Sequence, residues 1–305
     1  MRFVTALVIL AGMLSAQQRP PITGVAHIAL YVKDVEKSRA FYKDFLGYGE
    51  PFDLKNPDGT LSLTFIKVNE RQYIELFPER APETDRLNHI SIETTDAEAM
   101  RRYLASRGIK VPERVPKGRS GNSNFNIKDP EGHTVEIVQY EPTGWSVRER
   151  GKHVFPNRIS ERMLHLGILV GSLDASMKFY RDVLGFEEIW RGSRDGKTLS
   201  WVNMKVPDGD DYIEFMLYDK LPEPTRRGVQ HHICLVVPDI EKSKAQLEQR
   251  PGRKAYTQPM EIRTGTNRKR QMNLYDPDGT RVELMEPNTV DGVPAPPSNA
   301  PPPRP

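Results

Sequence analysis

The sequence predicts an α+β protein made of four repeated βαβββ modules. A strand that opens near a histidine and leads into a helix recurs four times, and each copy closes on a strand that carries a single glutamate. The first and third copies agree best: from His27 to His165 and from Gly47 to Gly185, 165 − 27 and 185 − 47 both give an offset of 138. The four modules therefore form two tandem pairs within the 305 residues.

The first module shows how each element is predicted. Apolar side chains alternate from Ile28 to Val32, which is the period-2 pattern of a strand with one face against a core, so His27 faces the other surface. The charged run that follows has helical spacing. Asp34 can cap this helix, and Gly47 can end it in the left-handed conformation.

Each closing glutamate follows its opening histidine by about fifty residues. By strand parity the glutamate lies opposite its apolar neighbours, on the same face as the histidine. Two more short strands fit between each helix and each closing strand, which completes the βαβββ module. The pairs are His27 with Glu75, His89 with Glu136, His165 with Glu214, and His232 with Glu283.

The fourth module presents two adjacent histidines, His231 and His232, and strand parity selects between them. Only His232 places Ile233, Leu235 and Val237 on the apolar face. A slip of one residue would invert every side chain.

The repeat and the local composition divide the chain into five segments. A polar, Gly- and Pro-containing stretch separates the two module pairs, as linkers do, and the last residues are rich in proline without periodicity. We predict a signal peptide at 1–16, a first domain at 23–141, a linker at 142–162, a second domain at 163–287 and a disordered Pro-rich tail at 288–305.

The N-terminus has the three parts of a secretory signal. Arg2 precedes a mostly apolar run from Phe3 to Leu14, which is shorter than a membrane span, and Ala16 is a candidate cleavage position. We expect a periplasmic or secreted protein with no membrane attachment after cleavage; a retained short anchor is the alternative. Cys234 is the single cysteine, so no intrachain disulfide can form.

The charge balance excludes an electrostatic case for nucleic acid. There are 44 basic and 41 acidic residues, for a formal net charge of +3. One basic run, Arg263 to Arg270, is a local exception. We interpret it as a solvated loop in preference to a clamp for a substrate anion.

The recurring histidines and glutamates predict metal binding. Four of the seven histidines occupy the same position of the same strand type, each with a glutamate on its face, and packing does not require this. Two imidazoles and two carboxylates suit a divalent zinc, nickel, cobalt, manganese or iron(II) ion better than calcium or copper(I). Four protein ligands would leave two octahedral positions for water or for two adjacent substrate oxygens.

These motifs resemble the vicinal oxygen chelate (VOC) superfamily, the glyoxalase, bleomycin resistance protein and extradiol dioxygenase fold. They are the histidine strand, then Phe-Tyr-x-Asp-x-Leu-Gly, then Asp-Pro-x-Gly-x-x-Val-Glu, and the resemblance extends from about Thr23 to Pro287. It implies two tandem domains, each a cupped mixed sheet around a metal, and a small-molecule substrate. Carried over by position, the ligand sets are His27, Glu75, His89 and Glu136, and His165, Glu214, His232 and Glu283.

For the reaction, the resemblance favours a glyoxalase I-like, metal-dependent lyase or isomerase. Such an enzyme acts on a small α-oxygenated carbonyl substrate through a metal-chelated enediolate, and the proton-transfer base would be Glu136 or Glu283.

Two alternatives stay open. An extradiol-type ring-cleaving dioxygenase would use His165, His232 and Glu283 as an iron triad, although the further acid-base histidine of those enzymes has no counterpart between Leu166 and Gln230. A non-catalytic, resistance-type binding protein is the other alternative, and the eight intact ligand positions speak against it.

Overall fold

The computed structural model describes residues 18–81 and 85–304, which form two mixed β-sheets with short helices. The predicted signal peptide, 1–16, lies outside the described residues. The predicted fold class, an α+β protein of two tandem domains, is confirmed. Within the described residues, no helix is long and apolar enough to cross a membrane.

The first domain builds a seven-stranded sheet in the order β2-β3-β4-β1-β5-β7-β6. Its elements are β1 (Ile22–Val32), α1 (Val35–Arg39), β2 (Gly49–Lys55), β3 (Leu61–Lys67), β4 (Tyr73–Pro78), β5 (Leu87–Thr94), α2 (Ala97–Ser106), β6 (Ser123–Lys128) and β7 (Thr134–Gln139).

The second domain builds an eight-stranded sheet in the order β13-β14-β15-β12-β8-β11-β10-β9, and the linker between the domains carries the short helix α3 (Trp145–Arg148). The elements are β8 (Met163–Val170), α4 (Leu173–Met177), β9 (Glu187–Ser193), β10 (Leu199–Lys205), β11 (Tyr212–Leu217), β12 (His232–Val236), α5 (Ile240–Glu248), β13 (Ile262–Thr264), β14 (Lys269–Tyr275) and β15 (Arg281–Thr289).

The four strands that carry the histidines and glutamates lie together at the centre of each sheet. In the first domain, β1 and β5 pair antiparallel, and each is flanked by the closing strand of its own module in parallel pairing, β4 and β7. In the second domain, β8 and β12 repeat this arrangement with β11 and β15. Each domain therefore collects its own ligand candidates on one sheet.

The helix that follows the opening strand begins and ends as its sequence predicts. The Asp34 carboxylate accepts hydrogen bonds from the backbone N–H groups of Glu36 and Lys37, which caps α1. The helix continues through a π-helical turn at Ala40–Phe45. Gly47 then takes φ = +85°, a conformation that glycine adopts without the penalty of a Cβ atom.

The second module departs from the predicted βαβββ pattern. Among the described residues, only β6 and β7 follow α2, and an isolated bridge between Lys117 and Ser123 stands where a third strand was expected. The segment contains Pro112 and Pro116, which have no N–H to donate to a ladder.

The linker and the tail are both tied to the domains. The buried Lys67 ammonium donates hydrogen bonds to the carbonyls of Glu149 and Lys152 in the linker. Where the sequence predicts a disordered tail, β15 extends to Thr289, and Ser298 N–H donates to the Arg191 carbonyl at the edge of the second sheet. The unpaired edge of β9 supplies backbone acceptors, a property that composition does not indicate.

Two reciprocal hydrogen bonds join the domains. Tyr42, next to α1, donates its hydroxyl to Asp276 of the second domain at 3.2 Å. Tyr180, at the equivalent place after α4, donates to Asp129 of the first domain at 3.1 Å. The tyrosine of each Phe-Tyr motif thus bonds the aspartate of the other domain's Asp-Pro-x-Gly turn. Burial raises the pKa of Asp276 to about 7.

We predict that Tyr42→Phe lowers the free energy of unfolding by about 1–3 kcal/mol, because it removes one hydrogen bond and leaves a buried carboxyl group with fewer partners. Urea unfolding followed by circular dichroism measures the change. Tyr275→Phe is the matched control, since its hydroxyl bonds no group of the described residues. Equal stability of the two variants would contradict an interdomain role for the Tyr42 hydroxyl.

Candidate metal centres

The first centre lies on the concave face of the first sheet, and we call it the first cup: His27, Glu75, His89 and Glu136. The two histidine Nε2 atoms are 3.0 Å apart. His27 Nε2 lies 3.6 Å from Glu75 Oε1 and 3.4 Å from Glu136 Oε1, and His89 Nε2 lies 3.8 and 3.9 Å from their other oxygens. All four side chains are buried.

The second centre, the second cup, repeats this arrangement with His165, Glu214, His232 and Glu283. The two Nε2 atoms are again 3.0 Å apart. His232 Nε2 lies 3.3 Å from Glu214 and 3.7 Å from Glu283, and His165 Nε2 lies 3.9 and 3.5 Å from the same two carboxylates. The structure thus brings together all eight residues that the sequence singles out, four within each domain.

The ligand-to-ligand distances fit a divalent ion. Two ligands at right angles on an ion with bonds of about 2.1 Å lie about 3.0 Å apart, the separation of the Nε2 atoms in each cup. Three side chains in each cup offer ligand atoms that lie within 4.8 Å of one another: His27, Glu75 and His89 in the first cup, and His165, His232 and Glu283 in the second. These buried triads can bind a metal.

Burial sets the protonation of the first cup without an ion. Desolvation lowers the pKa of His89 to about 4 and lowers that of His27 well below its usual value, with further repulsion from His89. Desolvation likewise raises the pKa of Glu136 to about 7, while burial and then the Glu136 charge raise that of Glu75. A central cation would reverse the cost of ionising these carboxylates.

Neighbouring polar groups orient the first-cup ligands. Asn88 Oδ1 lies 2.9 Å from His89 Nδ1, so an Nδ1–H that donates to it leaves Nε2 free to bind a metal. Asn124 Nδ2 donates to Glu136 Oε2 at 2.7 Å, and the Ser91 hydroxyl donates to the other oxygen at 3.3 Å. These contacts hold the carboxylate on the cup face.

The second cup differs electrostatically. Burial alone would raise the pKa of Glu283, but hydrogen bonding and attraction from His165, together with the Arg281 charge, lower it. The pKa of His232 falls well below its usual value because of burial, with repulsion from Arg281. Arg281 therefore brings a positive charge to this cup.

His231 takes no part in the second cup, in agreement with the strand register. Its Nε2 lies 3.6 Å from an Asp85 carboxylate oxygen, and its ring packs edge-on against His133 of the first domain. His133 is in turn 2.8 Å from Asp129. This histidine pair belongs to the domain interface.

Several residues of the site escaped the sequence analysis. Asn88 lies in β5 and Arg281 begins β15, both of which carry ligands. Strand parity places Arg281 on the same face as Glu283, so the sequence did contain a signal for Arg281. Gly167 had no such signal. It lies opposite His232 in the ladder, and a Cβ atom at this position would overlap the imidazole ring. The equivalent residue beside His89 is Ala29.

Each cup opens into a cavity that can hold a small molecule. The first has a volume of about 310 Å³, and its lining includes four aromatic and four amide side chains. The second has a volume of about 320 Å³ and includes two tryptophans and three arginines.

A buried His/Glu cluster on each of two cupped sheets defines a class of metal-binding α+β proteins. The sequence profile of the glyoxalase/bleomycin resistance protein/dioxygenase superfamily matches residues 24–137 and 162–284. The chain belongs to this superfamily, as its motifs predict.

The relatives found by sequence include a lyase. A lactoylglutathione lyase of Oryza sativa subsp. japonica is 27% identical over 205 residues, which cover 65% of this chain and 64% of the rice protein. This chain thus spans just under two thirds of that relative.

Two solved structures share the fold. The Mn(II)-bound glyoxalase of Novosphingobium aromaticivorans has a TM-score of 0.67 at 16% identity, over 88% of this chain and 83% of that one. An extradiol ring-cleaving dioxygenase of B. fuscum has a TM-score of 0.66 at 18% identity, over 94% and 77%. At these identities the likeness concerns the fold.

We predict that Gly167→Ala weakens metal binding at the second cup by roughly 10- to 100-fold, because the methyl group displaces the His232 imidazole. Titration with Mn²⁺ followed by calorimetry measures both cups. Ala29→Gly, the reverse change beside His89, should leave both affinities nearly unchanged. Two native-like affinities in Gly167→Ala would contradict His232 as a ligand.

Proposed function

We propose that the protein is a divalent-metal-dependent lyase or isomerase of the glyoxalase type, which acts on a small α-oxygenated carbonyl compound. The observation that carries this proposal is the pair of buried centres, each with two histidines and two glutamates around one point. A bound divalent ion would act as a Lewis acid toward neighbouring substrate oxygens. The lyase and glyoxalase among the relatives support this reaction class.

In the first cup, Glu136 is the candidate base. It is the closing glutamate of the second module, the position that the family resemblance indicates for the proton-transfer base. Asn124 and Ser91 hold it in place. Its pKa of about 7, raised by burial, suits a group that takes a proton from the carbon next to a carbonyl and returns it nearby.

In the second cup, Glu283 is the equivalent candidate base, because it closes the fourth module. Glu214 and Glu283 lie at similar distances from the two histidines, so distance does not separate them. Glu214 is the alternative base in this cup.

The group of His165, His232 and Glu283 favours a second candidate function. Two histidines and one carboxylate form the triad of non-haem iron oxygenases, and the fold resembles that of an extradiol dioxygenase. The absence of a histidine between Leu166 and Gln230 in the sequence opposes this candidate. A binding protein without catalysis ranks third, because the resistance-type binding proteins that the chain resembles lack this ligand set, whereas all eight positions are filled here.

Export remains a prediction from the sequence. We propose a periplasmic or secreted location from the arrangement of Arg2, the apolar run to Leu14, and Ala16. A small-molecule substrate is compatible with this location.

We predict that Glu136→Gln lowers kcat by on the order of 10² to 10⁴, because the amide keeps the shape of the side chain but cannot accept the proton. The measurement is exchange of the α protons of 2-hydroxyacetophenone with deuterated solvent, followed by NMR on the Mn²⁺-loaded chain. Oxygen uptake with catechol is recorded beside it.

Glu283→Gln and Glu214→Gln are the matched variants in the second cup, and together they assign the working cup. Metal content is measured in each variant, so that loss of an ion is distinguished from loss of a base. Oxygen consumption with ring cleavage would contradict the lyase or isomerase proposal. If neither activity is detected, a non-catalytic binding protein becomes the better account.

A further inference from the structure

Three arginines line the second cavity, and none of them has a carboxylate of the described residues within ion-pair distance. Arg194, Arg263 and Arg281 face it, and none of them forms an ion pair within the described part of the chain. Nearby arginines behave differently: Arg191 pairs with Glu188, and Arg270 pairs with Glu286. Unpaired guanidinium groups at a cavity are sites where an oxyanion can bind with charge-assisted hydrogen bonds.

Buried donors in the same cavity also lack partners. The Nε atom of Arg281 and the Nε1 atom of Trp190 are buried and make no hydrogen bond to a described residue. Such groups are costly unless something accepts from them. The guanidinium carbon of Arg194 lies 5.3 Å from the centre of the Trp201 ring, so this arginine stacks at the side of the cavity.

Arg281 and the Gln230 carbonyl both lie within hydrogen-bond distance of His232 Nδ1, and only one of them can bond it when His232 binds a metal. His232 Nδ1 lies 2.6 Å from an Arg281 nitrogen and 2.8 Å from the Gln230 carbonyl oxygen. A neutral imidazole that binds an ion through Nε2 carries its proton on Nδ1, which then donates to Gln230. In that state the Arg281 N–H group has no acceptor on His232 and is available to a ligand.

The first cup has no arginine at the position equivalent to Arg281. The residue two places before Glu136 is Thr134, where the second cup has Arg281 two places before Glu283. Arg119, which lines the first cavity, donates to the Lys55 carbonyl at 2.8 Å and to the Ser62 hydroxyl at 2.7 Å. Its guanidinium group is therefore already hydrogen-bonded.

We propose that the second cup selects substrates that carry an oxyanionic group such as a carboxylate, bound by Arg281 with Trp190 and Arg194, and that the first cup does not. This inference rests on the proposed function, since it takes the second cavity as a substrate site. It adds a substrate class that the ligand set alone does not define. Arg263, at the rim of the second cavity, adds to the positive electrostatic potential there.

The test compares two probes that share one scaffold, the anion 4-(hydroxyacetyl)benzoate and its neutral methyl ester. Both offer two neighbouring oxygens to an ion. Calorimetric titration of the Mn²⁺-loaded full chain should give an affinity for the acid at least 10-fold higher than for the ester. Arg281→Gln should lose about 10- to 100-fold in affinity for the acid and keep its affinity for the ester.

Two further variants keep this test decisive. Arg194→Gln, at an exposed position, should also lower the affinity for the acid and leave the affinity for the ester unchanged. Arg270→Gln, whose guanidinium is paired with Glu286 outside the cavity, is the matched control and should change neither affinity.

Equal affinities for the acid and the ester in the native chain would overturn the inference. The proposed function would still stand in that case, because both probes would bind. Equal losses for both probes in Arg281→Gln would also overturn it, since they would show a structural role. If neither probe binds, the inference fails, and the proton-exchange assay decides the proposed function separately.

Discussion

The antiparallel pairing of two opening strands at the centre of each sheet is the constraint on which both sites depend. Where β1 meets β5, the strands place His27 and His89 side by side on the concave face, and the parallel closing strands add a glutamate from each side. Backbone ladders thus determine the ligand separation to within about one residue spacing.

This geometry creates an electrostatic problem that a cation solves. Two desolvated carboxylates lie close together in each cup, and the free-energy cost of keeping both ionised is high because water is excluded. Burial raises the pKa of Glu75 and Glu136, so the first cup is poorly stabilised in its fully charged form without an ion. In the second cup, Arg281 offsets part of this charge, which makes the cups chemically different despite their common fold.

Strand parity made the ligand candidates predictable, because a period of two leaves only one register with a continuous apolar face. This argument chose His232 over His231 correctly. Strand parity could not predict features that depend on neighbouring strands of the sheet. Gly167 leaves space for the imidazole of a residue on the neighbouring strand, which the pattern of one strand does not show. The repeat pattern predicted a third strand after the second helix, where two prolines disfavour a strand.

The most direct test of the account is a count of metal ions per chain. Mn²⁺ binding to the purified protein, followed by electron paramagnetic resonance of the free ion, should approach two equivalents. A variant with His27, His89, His165 and His232 all changed to alanine should bind none tightly, with circular dichroism as the check on folding. Undiminished binding by a folded quadruple variant, or no binding by the native chain, would contradict the assignment of both cups.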